Sequence, residues 1–297
     1  MQKSNFSFLE RVGSRLLVAV PYIWYLILFF LPFLIILKMS VTVSDGIIFD
    51  KLITYKNGIL TIAANIGNYF YLAQDSLYLM TYIRSLYYAG ITTLICLGIG
   101  FPFAYFLARS PKHQQGTLLM MVMLPFWTSF LLRIYAWKSI LADDGVFNNV
   151  LMAVHIINSP IKMLHTPFSL ILGMVYMYLP FMILPLYSNL AKLDLRLLEA
   201  AADLGSKPFS SFCRITIPLA RGGIIAGSML VFIPCVGEYV VPELLGGTST
   251  IMIGRVLWDE FFNNNDWPMA ATVAVVMIAL VIGPLALFNR YSETQKK

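Results

Sequence analysis

Long runs without a charged residue recur along this chain. Leu16–Leu37 has 22 such residues, Ser85–Ala108 has 24, Gln114–Leu132 has 19, Met163–Ala191 has 29 and Trp267–Asn289 has 23. A sixth run, Gly222–Gly237, has 16 and reaches Pro242 if one acid, Glu238, is admitted. A helix rises about 1.5 Å per residue, so roughly 20 apolar residues cross a hydrocarbon core about 30 Å thick. The pattern predicts an all-α integral membrane protein with six transmembrane helices, at residues 16–37, 85–108, 114–134, 168–190, 222–242 and 267–289. The membrane domain then covers 16–290, with a polar loop at 192–221, a leading segment 1–15 and a tail 291–297. Two other charge-free stretches, Asn57–Gln74 and Gly145–Ile161, carry Asn65, Asn68, Asn148, Asn149 and Asn158. Unpaired amides are costly in lipid, so these stretches read as loops or surface helices. The first run is too long for a signal-peptide core and no small-residue cleavage site follows it, so it is expected to stay as an anchor.

Composition narrows the class further. The chain of 297 residues is 59% hydrophobic and 12% charged, with a mean hydropathy of +0.75. An average soluble domain is about 45–50% apolar and about 25% charged, so a disordered tail, a coiled coil and an ordinary cytosolic enzyme are excluded. The net charge of +6 acquires a meaning once it is placed on the topology. With the N-terminus inside, the inner segments hold 13 of the 21 basic residues, among them Lys3, Arg11, Arg15, Arg109, Lys112, Lys192, Arg196, Lys207, Arg214, Arg221, Arg290, Lys296 and Lys297. The inner acids are Glu10, Asp194, Glu199, Asp203 and Glu293, which leaves +8 inside and −2 elsewhere. Basic loops stay cytoplasmic, so both termini are expected there. The basic excess is a topology signal, not a nucleic-acid footprint. Cys96 and Cys235 fall in spans and Cys213 in the inner loop, which argues for packing residues and against an external disulfide framework.

The motifs of covalent chemistry are missing. The chain has no G-x-x-x-x-G-K-[ST], H-E-x-x-H, C-x-x-C or G-x-S-x-G, and His113, His155 and His165 have no second metal ligand at a useful spacing. No catalytic residue, metal site or cofactor is expected in this chain.

The loop from Lys192 to Arg221 is the most informative polar segment. Asp194 is a candidate N-cap and Gly205 a candidate C′ residue, with strong helix formers between them. Leu195, Leu198, Ala201 and Ala202 form a small apolar face, and Glu199 and Asp203 lie one turn apart. Ser206 is a candidate cap for a second short helix with Pro208 in its first turn. The loop therefore predicts helix–turn–helix at the inner surface.

The spacing Glu199-Ala200-Ala201, three residues, Gly205, nine residues, Ile215-Thr216-Ile217-Pro218 resembles the E-A-A-x3-G-x9-I-x-L-P motif of bacterial ABC-importer permeases. One position departs, Ile217 for leucine. The resemblance implies the type I (MetI-like) permease fold in the bacterial inner (cytoplasmic) membrane. It also implies that the loop is a coupling helix docking on a separate ATPase. Glu199 would be a polar contact, Ala200 and Ala201 a close-packing surface, Gly205 the turn, and Ile215 and Pro218 the end of the motif. The implied partners are a second homologous permease, two copies of an ABC ATPase subunit that use ATP and Mg, and a periplasmic solute-binding protein. Val20–Trp24, Leu124–Arg133, Gly222–Gly247 and Ile251–Trp258 are similar to the polyamine (spermidine/putrescine) branch of that family, its putrescine permeases above all.

The residues themselves offer a weaker pointer in the same direction. Glu238 is the only acid within a predicted span, and it follows Pro234-Cys235-Val236-Gly237, a candidate break. Counted from Gly222 it lies roughly 24 Å up the helix. An ionisable group there is a functional candidate by default, and a carboxylate facing a pathway would attract a diammonium solute. A structural acid paired with Arg133, or an interfacial group, explains it as well. Trp127, Tyr135, Tyr176, Tyr178 and Tyr239 are candidate cation–π faces, although packing or interfacial anchoring accounts for aromatic residues equally. Arg133 is also placed to snorkel to the outer interface. The external stretch Thr250–Pro268 carries Trp258, Asp259, Glu260, Phe261, Phe262 and Asp266, candidates for touching a binding protein or drawing in cations. An ABC permease for another solute, a stand-alone secondary transporter and a membrane scaffold are the rival readings.

Overall fold

Four of the six apolar runs form single helices: α1 (Ala19–Ser40), α3 (Ser76–Arg109), α7 (Pro167–Leu190) and α13 (Trp267–Thr294). The structure is a computed structural model. It describes residues 17, 19–42 and 65–294, and short strand pieces at 44–45, 48–49, 53–56 and 59–62; side chains at 43–64 and 284–297 are outside the description. The leading charges Lys3, Glu10, Arg11 and Arg15 and the tail charges Arg290, Glu293, Lys296 and Lys297 lie outside the residues so described. The chain divides into two units, one of residues 1–75 and 257–297, the other of residues 76–256.

In the first unit, α1 packs on α13 (Trp267–Thr294). The buried Thr272 hydroxyl donates to the Ser40 carbonyl at 3.1 Å and to Pro268 at 2.8 Å. The Tyr69 hydroxyl, on α2 (Gly67–Gln74), donates to Ser40 Oγ at 2.8 Å. These bonds satisfy polar groups where α1 ends, which an apolar contact alone leaves orphaned. The stretch Asn57–Gln74, expected as loop or surface helix, contains α2 and one strand, Ile59–Ile62, which pairs antiparallel with Ile53–Lys56 just before it. A smaller pair joins Ser44–Asp45 to Ile48–Phe49.

In the second unit α3, α7 and α10 (Arg221–Val236) pack on one another. Their contact buries Ala89, Cys96, Met174, Met182, Leu186, Val231 and Cys235 completely. Cys96 and Cys235 are thus the small packing residues expected of them. Thr166 opens α7 with a capping box, its hydroxyl accepting from the Ser169 N–H at 3.4 Å. Asn148, on the short helix α6 (Val146–Ala153), is buried and satisfied. Its amide donates to the carbonyls of Ala142, Asp143 and Ile161 and accepts from the Ile161 N–H. That full pairing explains how the Asn148 amide is buried at no cost in unmet hydrogen bonds.

Two expected spans are broken. The run expected as one span over 114–134 is α4 (Lys112–Trp127) followed, after Thr128–Ser129, by α5 (Phe130–Leu141), and the segment Phe130–Ala153 is bent by 84° from α4. Pro125 sits in the last turn of α4, where that turn tightens, and Thr128 is extended. The run expected over 222–242 is α10, which ends at Val236. The short helix α9 (Pro208–Leu219) precedes it at a bend of 65°. Proline removes an intrahelical donor in both places.

Candidate functional site

Two regions carry the residues singled out by the sequence, and α10 joins them. At one end lies the polar loop. Its first helix, α8 (Arg196–Asp203), starts where Asp194 Oδ1 accepts the Arg196 N–H at 3.1 Å. The Arg196 guanidinium also grips the Asp194 carboxylate, at 2.8 Å from Nη2, and holds that carboxyl below its ordinary range. Gly205 has φ +78°. The Gly205 N–H reaches the Ala202 carbonyl at 2.8 Å and the Ser206 N–H reaches Ala201 at 2.9 Å. That is the Schellman pairing, and its C′ residue needs the left-handed conformation that glycine adopts without strain.

Beyond the turn, Lys207 and not Ser206 caps α9, with Pro208 at its first position. Ser206 Oγ instead accepts from Ser211 Oγ at 2.9 Å. Phe212 of α9 packs edge-on to Phe101 and Tyr105 near the end of α3, at 5.5 and 6.1 Å between ring centroids. Glu199, Ala200 and Gly205 are exposed and Ala201 is half-buried. Ile215 and Pro218 lie half-buried on α9, just before the bend into α10. Two residues that sequence reasoning passed over flank the turn: Leu204 is 89% exposed and Phe209 is 78% exposed. The available signal was an apolar residue on either side of a predicted glycine turn, off the face of Leu198 and Ala201.

At the other end of α10 stands Glu238, 8% exposed. Its Oε1 accepts the N–H groups of Val240 and Val241 at 3.0 and 3.4 Å. This caps α11 (Val240–Leu245). The other carboxylate oxygen accepts the hydroxyl of Tyr178 on α7. Gly254, on α12 (Ile253–Trp258), presses on the turn. A Cβ there would stand 2.5 Å from the Gly237 carbonyl oxygen and 2.6 Å from that of Glu238. The far end of α11 is held as well, because the His165 N–H and the Ser169 hydroxyl both reach the Leu245 carbonyl, at 3.0 and 2.7 Å.

The structure thus brings Glu238, Tyr178 and the adjoining Tyr239 together at the break. It does not gather the other aromatic candidates there. Trp127 is 76% exposed at the end of α4, Tyr135 is 54% exposed on α5, and Tyr176 packs edge-on to Trp137 at 5.3 Å. Arg133 does not pair with Glu238, since its Nη1 donates to the Pro125 carbonyl at 2.8 Å and its guanidinium lies 4.6 Å from the Phe126 ring centre. In the first unit, Asp259 and Glu260 accept the amides of Asn263 and Asn264, and Asp266 caps α13 through the Met269 N–H. Among the described residues no group of three or more His, Cys, Asp or Glu is placed to hold a metal.

Comparison with known proteins decides the class. Residues 6–292 match the family described as binding-protein-dependent transport system inner membrane component. The chain belongs to this family. It is therefore a permease subunit of an ABC importer. It is 40% identical over 272 residues, 91% of each chain, to the spermidine/putrescine transport system permease protein PotB of Haemophilus influenzae. It is 40% identical over 274 residues to PotB of Escherichia coli K12, covering 92% of this permease and 96% of that one. An inner membrane ABC transporter permease protein of Escherichia coli, YdcU, is 32% identical over 94% of this permease and 90% of its own length. In fold the permease is similar to a chain of a bacterial ABC transporter involved in the import of the acidic polysaccharide alginate. That likeness has a TM-score of 0.71, with 98% and 99% of the two chains covered at 16% identity. The expected type I permease fold is thereby shown.

Proposed function

We propose that this permease carries polyamines, putrescine or spermidine, across the inner membrane in six spans, with both termini cytoplasmic. The observation that carries this reading is the 40% identity, over nine-tenths of both chains, to permeases named for spermidine and putrescine. The partners are a second homologous permease, two ABC ATPase subunits that use ATP and Mg, and a periplasmic polyamine-binding protein. The exposed face of Glu199, Ala200, Leu204 and Phe209 docks on an ATPase, with Ala201 packing close and Gly205 setting the turn. Ile215 and Pro218 pass the motion of that surface through α9 into α10. At the far end of α10, the Glu238–Tyr178 contact holds the break around which Tyr239 sits. Trp127 and Tyr135 offer open ring faces to an ammonium group.

Chemically the arrangement moves a solute and makes no bond, so the energy comes from hydrolysis on the partner subunits. The test is reconstitution of the four components in vesicles with labelled putrescine and spermidine. ATP-dependent uptake of either supports the reading. A complex that hydrolyses ATP in response to its binding protein yet takes up neither overturns the solute. Gradient-driven transport by this chain alone overturns the coupling role of the loop.

A further inference from the structure

A cavity of about 320 Å³ opens on the side of the 76–256 unit, between α3, α4 and α7. Phe103, Phe106, Met121, Phe126 and Leu179 give it a hydrocarbon wall, and Arg133 is the one charged residue lining it. A guanidinium has five N–H donors. Here Nη1 reaches a single carbonyl, at 2.8 Å, and Nε is buried without a partner. Arg133 is in neither the Arg196–Asp194 nor the Arg255–Glu243 ion pair, and no acid among the described residues neutralises it. A charge left this way in an apolar setting is costly, and the Phe126 ring compensates it only in part.

We infer that Arg133 is the receptor for a carboxylate side chain of the second permease subunit, whose apolar neighbours fill the cavity. The inference rests on the paired-permease reading above and names the chemistry of that contact. Depth selects the occupant. Tyr176, Leu179 and Ile183 on the cavity wall belong to the middle of α7, roughly 13–24 Å along its axis from Pro167. A phospholipid phosphate would have to leave the interface to reach that level, and an acyl chain brings no acceptor. A soluble partner has no access to a hydrocarbon-walled site inside the membrane. A second membrane-spanning chain does, and a carboxylate matches a guanidinium with two parallel hydrogen bonds.

The test co-expresses the tagged chain with its second permease, ATPase and binding protein, and measures how much second permease is recovered on the tag. Arg133→Gln is expected to lower recovery by about tenfold or more, while Arg133→Lys keeps most of it. Met121→Trp, which fills the cavity and leaves Arg133 in place, is expected to lower it similarly. In an Arg133→Glu background, changing one membrane-embedded acid of the second permease to Lys is expected to restore recovery. Wild-type recovery with Arg133→Gln overturns the inference. If that variant yields no folded protein, wild-type recovery with Met121→Trp overturns it instead. Native mass spectrometry in phosphatidylglycerol that shows a bound lipid lost from Arg133→Gln, at unchanged recovery, assigns the site to lipid and also overturns it. A wild-type chain that recovers no second permease overturns the paired assembly itself, which distinguishes that failure from the others.

Discussion

The contact between Glu238 and Tyr178 makes the sharpest prediction, because a tether and a solute site answer differently to the same substitutions. Glu238 accepts from two backbone N–H groups and from Tyr178, and both partners are buried. Losing the helix cap costs about 1 kcal/mol. Losing a hydrogen bond to a charged group, with the Tyr178 hydroxyl then unsatisfied, costs about 2–3 kcal/mol more. Glu238→Ala is therefore expected to destabilise the protein by about 3–4 kcal/mol and Tyr178→Phe by about 2 kcal/mol. The double variant should fall short of their sum by at least about 1 kcal/mol, because the two residues share one interaction. Glu238→Gln keeps an acceptor for the N–H groups and should cost about 1–2 kcal/mol. The assay is unfolding of the purified protein in mixed detergent, paired with uptake kinetics in vesicles. A tether predicts fewer folded transporters with an unchanged KM for putrescine in Glu238→Gln. Additivity of Glu238→Ala and Tyr178→Phe within about 0.5 kcal/mol, or a raised KM at wild-type stability, would refute the tether.

Further outcomes follow from the loop and the turn beside it. Gly205→Val places a β-branched residue at φ +78°, a strain of about 1–2 kcal/mol. ATP hydrolysis by the complex is expected to continue while uptake falls, and wild-type uptake would contradict the turn's role. Leu204→Asp and Phe209→Asp alter exposed side chains, so melting of the isolated permease should move by less than about 0.5 kcal/mol. Copurification of the ATPase should fall severalfold in the same variants. Gly254→Ala drives a methyl into two carbonyl oxygens and is expected to destabilise by about 3 kcal/mol or more, read by the same unfolding assay. Arg196 lowers the Asp194 carboxyl from its ordinary value near 3.8. The contact is therefore fully present above that value and lost only as pH falls through the lower folded one. Uptake measured between pH 5 and 8 should show no titration that Asp194→Asn removes.

Charge-free runs, the asymmetry of Lys and Arg, and the spacing from Glu199 to Pro218 are properties of the chain read in order. For that reason the membrane class, the helix–turn–helix loop and the glycine at its turn were legible from the residues. Lipid makes this possible, since a spanning segment must satisfy its backbone internally and so advertises itself by composition. The neighbours of a side chain are another matter. Hydropathy registers Thr128–Ser129 as polar residues in an apolar run, yet the 84° bend there comes from a tightened proline turn followed by an extended residue. Glu238 stood out as an acid in an apolar segment, but nothing in its sequence surroundings names Tyr178, which is 60 residues away. The distance in sequence hides a contact that packing of α7 on α10 creates. Arg133 invited pairing with Glu238 by charge alone, and the fold turned it onto Phe126 and Pro125 instead. Composition decided that this chain lives in a membrane. Tertiary structure decided which polar groups are satisfied within the chain and which, like Arg133 Nε, are buried without a partner in it. Complementarity depends on direction and distance in space, and a linear pattern carries neither.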